Sequence, residues 1–177
     1  MTINEIKTPE DILEFMKEHI KYGWLDINNE EHINNLKNFR RLYRTASTIE
    51  VLEHGLWTCI EQVKLMSELL NKINIPNKMY CTRVYEWDDF NDLNADLYMH
   101  CFVLYFLNGK TYQIEYPNSE KIGIYEYLSE KDAVKQLCDY YEKLAEGRAR
   151  PVTEFFELQP NLSFKEFNQY INSLDKK

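Results

Sequence analysis

The segment from Tyr98 to Tyr116 limits what this chain can fold into more than any other stretch. Its first part, Tyr98 to Leu107, is a continuous apolar run of the kind found in strands buried on both faces. Asn108-Gly109 follows, which is the strongest short signal for a two-residue hairpin turn. Lys110 to Tyr116 then returns as a second strand. The segment therefore predicts an antiparallel sheet with a defined register.

The predicted turn determines which side chains share a face of this sheet. Leu107 pairs with Lys110, and the rest of the two strands pair outward from there. Side chains alternate between faces, so His100 and Glu115 fall on one face as diagonal neighbours. A glutamate in such apolar surroundings needs a partner. We predict that His100 is that partner, and that Asn118 projects from the opposite face.

Helical patterns dominate the chain before the hairpin. Thr8-Pro9 begins a first helix, with threonine as the cap and proline at the first helical position. Ser47-Thr48-Ile49-Glu50 is a capping box that begins a short helix, which Gly55 ends. Apolar residues at helical spacing also predict a helix over residues 29–43.

The remaining elements complete an α+β pattern. Met79 to Trp87 is rich in aromatic and β-branched residues and is predicted as a strand. Further helices are predicted to begin at Ser129 and Ser163. Helices come first and the antiparallel sheet follows, which is typical of the α+β class. The 177 residues show no linker or repeat, so we expect a single domain over 1–177.

Charge and composition exclude several classes of partner. The formal net charge is −8, which is unsuited to nucleic acid or to anionic membranes. The N-terminus lacks the pattern of a signal peptide, and no apolar run is long enough to span a membrane. With no secretory signal, the four cysteines are expected to be reduced and the protein to be cytoplasmic.

Cys59 is the candidate nucleophile. Thr58-Cys59-Ile60-Glu61 repeats the capping-box pattern, which puts the cysteine at the first position of a helix running to Ile73. Free backbone N–H groups and the helix dipole stabilise a thiolate there, and they can also bind a developing oxyanion. The alternative is that the cysteine is a small buried core residue.

A nucleophilic cysteine also needs a base, and that base needs a group to orient it. His19 and His32 lie in polar surroundings typical of a surface. His54 precedes the cysteine by five residues, with no predicted orientation towards it. His100 lies in the apolar strand and has Glu115 as its predicted partner. The residues therefore favour a Cys-His-Glu triad.

Other candidate site residues carry weaker signals. Trp24 and Trp57 are candidates for the wall of a substrate cleft or for its oxyanion hole, with core packing as the alternative. Gln62 lies one turn after the cysteine, where it either reaches the site or lies on an exposed helix face.

No cofactor and no metal site is predicted. The acidic loop over residues 88–96 lacks the glycine and the ligand spacing of a calcium loop, so we expect it to be solvated and near the cleft. Zinc bound by His100 and Cys101 is disfavoured, because adjacent strand residues point to opposite faces. The four aspartates of the loop are Asp88, Asp89, Asp92 and Asp96.

Three segments resemble the transglutaminase-like branch of the papain-like cysteine enzymes. They are TCIEQVKLMSELLNKINIP, MHCFVLYF and YQIEYPN, and the N-terminal KTPEDILEFMKEHIKYGW is similar to the lead-in of bacterial members. The resemblance covers about residues 50–120, the expected core of the domain, and implies Cys59 as nucleophile, His100 as base and Glu115 in the usual aspartate position. Papain-like sites can use an amide in that position, so Asn118 is the rival of Glu115. The resemblance also implies a nucleophile helix packed on an antiparallel sheet.

The same resemblance implies a hydrolase or acyltransferase that acts on a peptide, a protein or a small amide. Trp57 stands where the family usually has glycine, two residues before the cysteine. A catalytically inactive binding module on the same fold is therefore the alternative, since fold membership does not determine activity.

Overall fold

The computed structural model describes residues 1–82, 99–144 and 152–174, and the predicted acidic loop lies outside them. Within these ranges the α+β class is confirmed. The α-helices are α1 (Pro9–His19), α2 (Phe39–Leu42), α3 (Thr48–His54), α4 (Cys59–Lys72), α5 (Glu130–Leu144) and α6 (Phe164–Leu174). The strands are β1 (Lys21–Leu25), β2 (Glu31–Ile33), β3 (Leu56–Trp57), β4 (Asn77–Thr82), β5 (Cys101–Leu107), β6 (Lys110–Glu115), β7 (Gly123–Tyr127) and β8 (Val152–Phe155). A 3-10 helix covers Ser119–Lys121.

The strands form two sheets. The smaller has the order β2-β1-β3, with β1 antiparallel to β2 and parallel to β3. The larger is antiparallel throughout and has the order β7-β6-β5-β4-β8. Helix α4 packs on one face of the larger sheet within the main hydrophobic core, and α5 packs on the other face. The helix that begins at Cys59 thus lies on an antiparallel sheet, as predicted.

The predicted hairpin register is confirmed. Leu107 pairs with Lys110, and the pairing continues to Val103 and Ile114 without a slip. Both turn residues have positive φ, 52° at Asn108 and 75° at Gly109. A tight turn of this kind needs two residues that tolerate this backbone region, which is why Asn-Gly predicts it so well.

The helix predicted over residues 29–43 is wrong. The segment instead forms strand β2 and the single turn of α2. Three asparagines, Asn29, Asn34 and Asn38, have left-handed φ values of 63°, 51° and 63°. Each of them interrupts a helix, because an α-helix needs negative φ at every residue. The apolar residues whose spacing predicted one long helix lie instead in and around these short elements.

Most of the predicted helix caps are confirmed. The Ser47 and Thr8 side chains cap their helices as predicted, and Gly55 ends α3 at φ 61°. All four cysteines are thiols rather than disulfides. In the described part of the chain, each helix is too short or too polar to cross a membrane.

Candidate active site

Cys59 is the first residue of α4, as predicted. The Thr58 side chain accepts a hydrogen bond from the backbone N–H of Ile60 at 3.3 Å, and the Thr58 carbonyl accepts from Gln62. The buried face of α4 holds this helix end against the sheet. The thiol therefore lies at the positive end of the helix, and only 6% of the residue is exposed.

The hairpin brings His100 and Glu115 together. His100 directly precedes β5, and Glu115 is the last residue of β6. His100 Nε2 lies 3.0 Å from Glu115 Oε2. The same carboxylate accepts from Gln113 Nε2 at 2.8 Å and from the Asn118 backbone N–H at 2.9 Å. The carboxylate is buried but fully hydrogen bonded, so its position is tightly defined.

The Cys59 thiol also interacts with the His100 imidazole. Because Nε2 faces Glu115, Nδ1 is the ring nitrogen left for the thiol. A hydrogen bond from Cys101 outweighs burial and, with the His100 hydrogen bond and charge, lowers the pKa of Cys59 well below its ordinary value. Burial opposes the charge on His100, but Glu115 and Cys59 raise its pKa to about 10. The arrangement favours a thiolate–imidazolium pair at neutral pH.

Asn118 does not replace Glu115 as the partner of His100. Its side chain accepts from the Glu120 backbone N–H and hydrogen bonds with Tyr141. The prediction that it points to the opposite face is wrong, because Asn118 lines a cavity together with His100. It lies beyond the end of β6, where the alternation of a strand no longer applies.

The other three histidines have partners elsewhere. His19 Nε2 lies 2.8 Å from the Met1 carbonyl oxygen, and His54 Nδ1 lies 2.9 Å from Glu31. His32 stacks on Trp24 at 4.0 Å and pairs with Asp26 at 3.3 Å.

One group of potential metal ligands occurs among the described residues, formed by Asp26, Glu30 and His32 within 4.8 Å. The Asp26 carboxylate already accepts from the backbone N–H groups of Asn28 and Glu30 and faces His32. These hydrogen bonds explain the group as the closure of a turn between β1 and β2.

Three residues proposed for the cleft lie in the interior instead. Trp24, Trp57 and Gln62 are each 0% exposed, and they are not among the described residues that line the two cavities at the site. The small sheet explains this, because β1 and β3 carry the two indoles inward. Gln62 donates to the Trp57 carbonyl at 2.7 Å, which ties α4 to β3.

Glu61 is a buried residue that the capping-box interpretation missed. The predicted box at Thr58 does not form, because the carboxylate turns inward. It accepts from the Thr58 hydroxyl at 2.6 Å and from the Tyr43 hydroxyl. Burial raises the pKa of Glu61 to about 7, against the effect of these hydrogen bonds. The apolar residues before Glu61 are a signal that this part of the chain is buried. Tyr43 lies 18 positions earlier, and no local pattern identifies it as the partner of Glu61.

Two cavities flank the thiol and the imidazole. The one at Cys59 has a volume of about 40 Å³, and the one at His100 about 200 Å³. Tyr22 and Met99 line both cavities. Apart from Cys59 and His100, the described residues lining them are all uncharged. The smaller cavity is also lined by Leu36, Phe39, Thr58, Ile60 and Phe164. The larger cavity is also lined by Pro117, Asn118, Tyr141 and Leu144.

Comparison with known proteins gives little further guidance. No family model matches the sequence, and no curated protein is similar to it. An arylamine N-acetyltransferase from Bacillus cereus, whose structure is described as revealing a unique Cys-His-Glu catalytic triad, has a TM-score of 0.39 and 16% identity. The match covers 63% of this chain and 42% of the other. A likeness this slight transfers neither a fold family nor an activity.

Proposed function

We propose that this protein is a cysteine acyltransferase or hydrolase of the papain-like, transglutaminase-like type, working through an acyl-enzyme on Cys59. One observation carries the proposal: a buried chain of contacts from the Cys59 thiol through His100 to Glu115, placed at the start of a helix. Nucleophile, base and orienting acid are the three roles that acyl transfer needs.

The contacts assign a role to each group. The Cys59 thiolate attacks the acyl carbonyl, and the imidazolium of His100 gives its proton to the leaving group. Water or an amine then enters, loses a proton to His100 and releases the acyl group. Glu115 holds the ring and stabilises its positive charge through both steps. The backbone N–H of Cys59 heads α4, where no intrahelical acceptor exists, so it can donate a hydrogen bond to the oxyanion.

The cavities favour a small uncharged acyl group. The space at the thiol has room for only a short chain, and the side chains around it are mainly apolar. Apart from Cys59 itself, the described residues lining this space carry no charge that could pair with a carboxylate or ammonium group losing its hydration there. The larger space at His100 suits the leaving group or the acceptor, because those are the groups that exchange protons with the imidazole.

Selective alkylation tests whether Cys59 is activated. Iodoacetamide at pH 6 to 7, followed by peptide mapping, should modify Cys59 well ahead of Cys138, which is the more exposed of the two. Cys81 and Cys101 are buried and should remain unmodified throughout. Equal modification of Cys59 and Cys138, or none at Cys59, would favour the inactive binding module.

Acylation tests the reaction itself. p-Nitrophenyl acetate should leave one acetyl group on Cys59, detected by intact mass and mapping, and the Cys59→Ala variant should carry none. The matching octanoate ester should react more slowly because the space at the thiol is small. An alkylated Cys59 that no ester acylates would contradict the acyltransferase or hydrolase assignment.

A further inference from the structure

Three of the four cysteines lie in contact, one after another. The Cys59 thiol interacts with the Cys101 thiol. The Cys101 Sγ lies 3.1 Å from the Cys81 Sγ. Cys81 and Cys101 are both 0% exposed. Acyl transfer uses neither of these buried thiols, although they lie directly behind its nucleophile.

The strand pairing makes a bond between Cys81 and Cys101 geometrically accessible. The two residues lie opposite each other on β4 and β5. At the next pair the Thr82 N–H donates to the His100 carbonyl, so the cysteines occupy a non-hydrogen-bonded pair. Such pairs have Cα atoms about 4.5 Å apart, which falls inside the disulfide range of about 4.4 to 6.8 Å. A small side-chain movement is enough to join the sulfurs.

The three thiols differ in their access to solvent and in their reactivity. Cys59 is the member that lines a cavity, so a small oxidant from solvent meets it first. Its lowered pKa makes it the thiolate, the form that oxidants attack. Burial raises the pKa of Cys101, which keeps that group a thiol until an electrophilic sulfur is next to it.

We propose that Cys59 is a modification site for hydroperoxides, that Cys101 resolves its sulfenic acid, and that Cys81 then takes over the disulfide. The proposal rests on the proposed function only in requiring that Cys59 be an activated thiolate. It adds two residues, Cys101 and Cys81, whose task is to return the nucleophile to its reduced form.

The sequence of steps balances. The Cys59 thiolate attacks one peroxide oxygen and becomes a sulfenic acid, and the hydroxide released takes the proton of His100 to form water. Cys101 attacks the Cys59 sulfur, and a second water leaves as the Cys59–Cys101 disulfide forms. Cys81 attacks the Cys101 sulfur, Cys59 leaves as thiolate, and the Cys81 proton passes to His100. Overall, one peroxide is reduced to two waters while two thiols become one disulfide.

The direction of the last step follows from the leaving group. A thiol with a lower pKa leaves more readily in thiol–disulfide exchange. Attack on Cys101 expels Cys59, whose pKa is lowered, and the His100 charge stabilises the departing thiolate. The disulfide therefore ends between two buried strand residues, away from the cavity.

Peroxide treatment with disulfide mapping tests the proposal. Hydrogen peroxide is added to the whole protein, the remaining thiols are blocked with iodoacetamide, and linkages are read by mass spectrometry. The wild type should lose two hydrogens, show a Cys81–Cys101 linkage and keep Cys59 open to alkylation. Cys81→Ser should stop at Cys59–Cys101, with Cys59 blocked until dithiothreitol is added. Cys138→Ser, the matched control on α5, should behave as the wild type.

Removing the resolving thiol gives the decisive comparison. In Cys101→Ser, and in Cys101→Ala should serine not fold at this buried site, Cys59 should pass to sulfinic acid at least about tenfold faster than in the wild type. Equal overoxidation in the wild type and these variants, or a linkage through Cys138, would overturn the proposal. A Cys59 that alkylates quickly at neutral pH but never enters a disulfide refutes the relay alone. A Cys59 that iodoacetamide leaves unmodified refutes the proposed function instead.

Discussion

Two glutamates lie near the Cys59–His100 pair, and both are 1% exposed, yet their surroundings are opposite in character. Glu115, at the end of β6, meets an imidazole that carries positive charge and two N–H donors. Glu61, in the first turn of α4, meets the neutral hydroxyls of Thr58 and Tyr43. Although the two carboxylates are equally buried, that of Glu115 balances a buried cation, whereas burial opposes the ionisation of Glu61.

The consequences appear on neighbouring groups. Glu115 is the main reason that the His100 pKa rises to about 10 in spite of burial. Burial instead raises the pKa of Glu61 itself to about 7, and the negative charge of Cys59 adds to the rise. The two glutamates lie equally deep in the protein, and the cationic partner of Glu115 is what suits it to support the proposed reaction.

Removing the charge of Glu115 should have the largest effect. Glu115→Gln keeps the shape of the side chain but withdraws the stabilisation of the His100 cation, so the thiolate fraction of Cys59 at neutral pH falls. We expect acyl transfer to drop on the order of 100-fold or more. The pH profile of alkylation should move towards alkaline pH. Ester acylation and iodoacetamide rates between pH 5 and 10 measure both.

Asn118→Ala is the matched control for that variant. It removes a side chain that lines the same cavity as His100 but leaves the His100–Glu115 contact intact. Its rates should stay within a few-fold of the wild type. A large loss in Asn118→Ala with little change in Glu115→Gln would reassign the third member of the triad.

Glu61 should affect stability rather than chemistry. Its folded pKa of about 7 exceeds the ordinary 4.5, so the folded state keeps a proton that the unfolded chain loses between those values. The free energy of unfolding should therefore fall as pH rises from about 4.5 to 7. The difference corresponds to about 3 kcal/mol. The free energy of unfolding, measured with denaturant at pH 5 and pH 8, should change less with pH in Glu61→Gln than in the wild type.

Glu68→Gln provides the comparison for Glu61. Glu68 lies on the same helix, but it is only partly buried and pairs with Lys64 at 3.1 Å. Removing the charge of Glu68 should leave the free energy of unfolding with the same pH dependence as in the wild type. If Glu61→Gln also leaves that dependence unchanged, then Glu61 is ionised in the folded protein and the contrast with Glu115 disappears.

The same contrast shows what sequence patterns can and cannot predict. A Ser or Thr followed by Glu three residues later occurs at Ser47 and at Ser163, and both pairs form capping hydrogen bonds. The pattern at Thr58 is identical, yet Glu61 turns towards Tyr43 instead. A cap depends on local backbone geometry, so sequence predicts it well unless a distant residue offers a better partner.

The triad and the region around Trp24 differ in the same way. The contact between His100 and Glu115 follows from one turn type and strand alternation, both of which are local rules. Strand β1 pairs in parallel with β3, more than 30 residues later in the chain. No local signal indicates that pairing, so the sequence left open whether the indole of Trp24 lines a cleft or packs in the core, and the structure places it in the core.

Tyr127 should give the smallest effect and the finest test of how Glu115 is held. Its hydroxyl donates to Gln113 Oε1 at 2.8 Å, which turns the amide so that Gln113 Nε2 faces Glu115. Tyr127→Phe frees the amide to rotate, and the carboxylate then loses a donor for part of the time. We expect a loss of about 0.5–1.5 kcal/mol of stability and a few-fold slower alkylation of Cys59 at neutral pH. Tyr125→Phe, whose hydroxyl donates to the Lys121 carbonyl instead, should leave that rate unchanged. Equal rates in both variants would mean that the imidazole and the Asn118 N–H position Glu115 without help from Gln113.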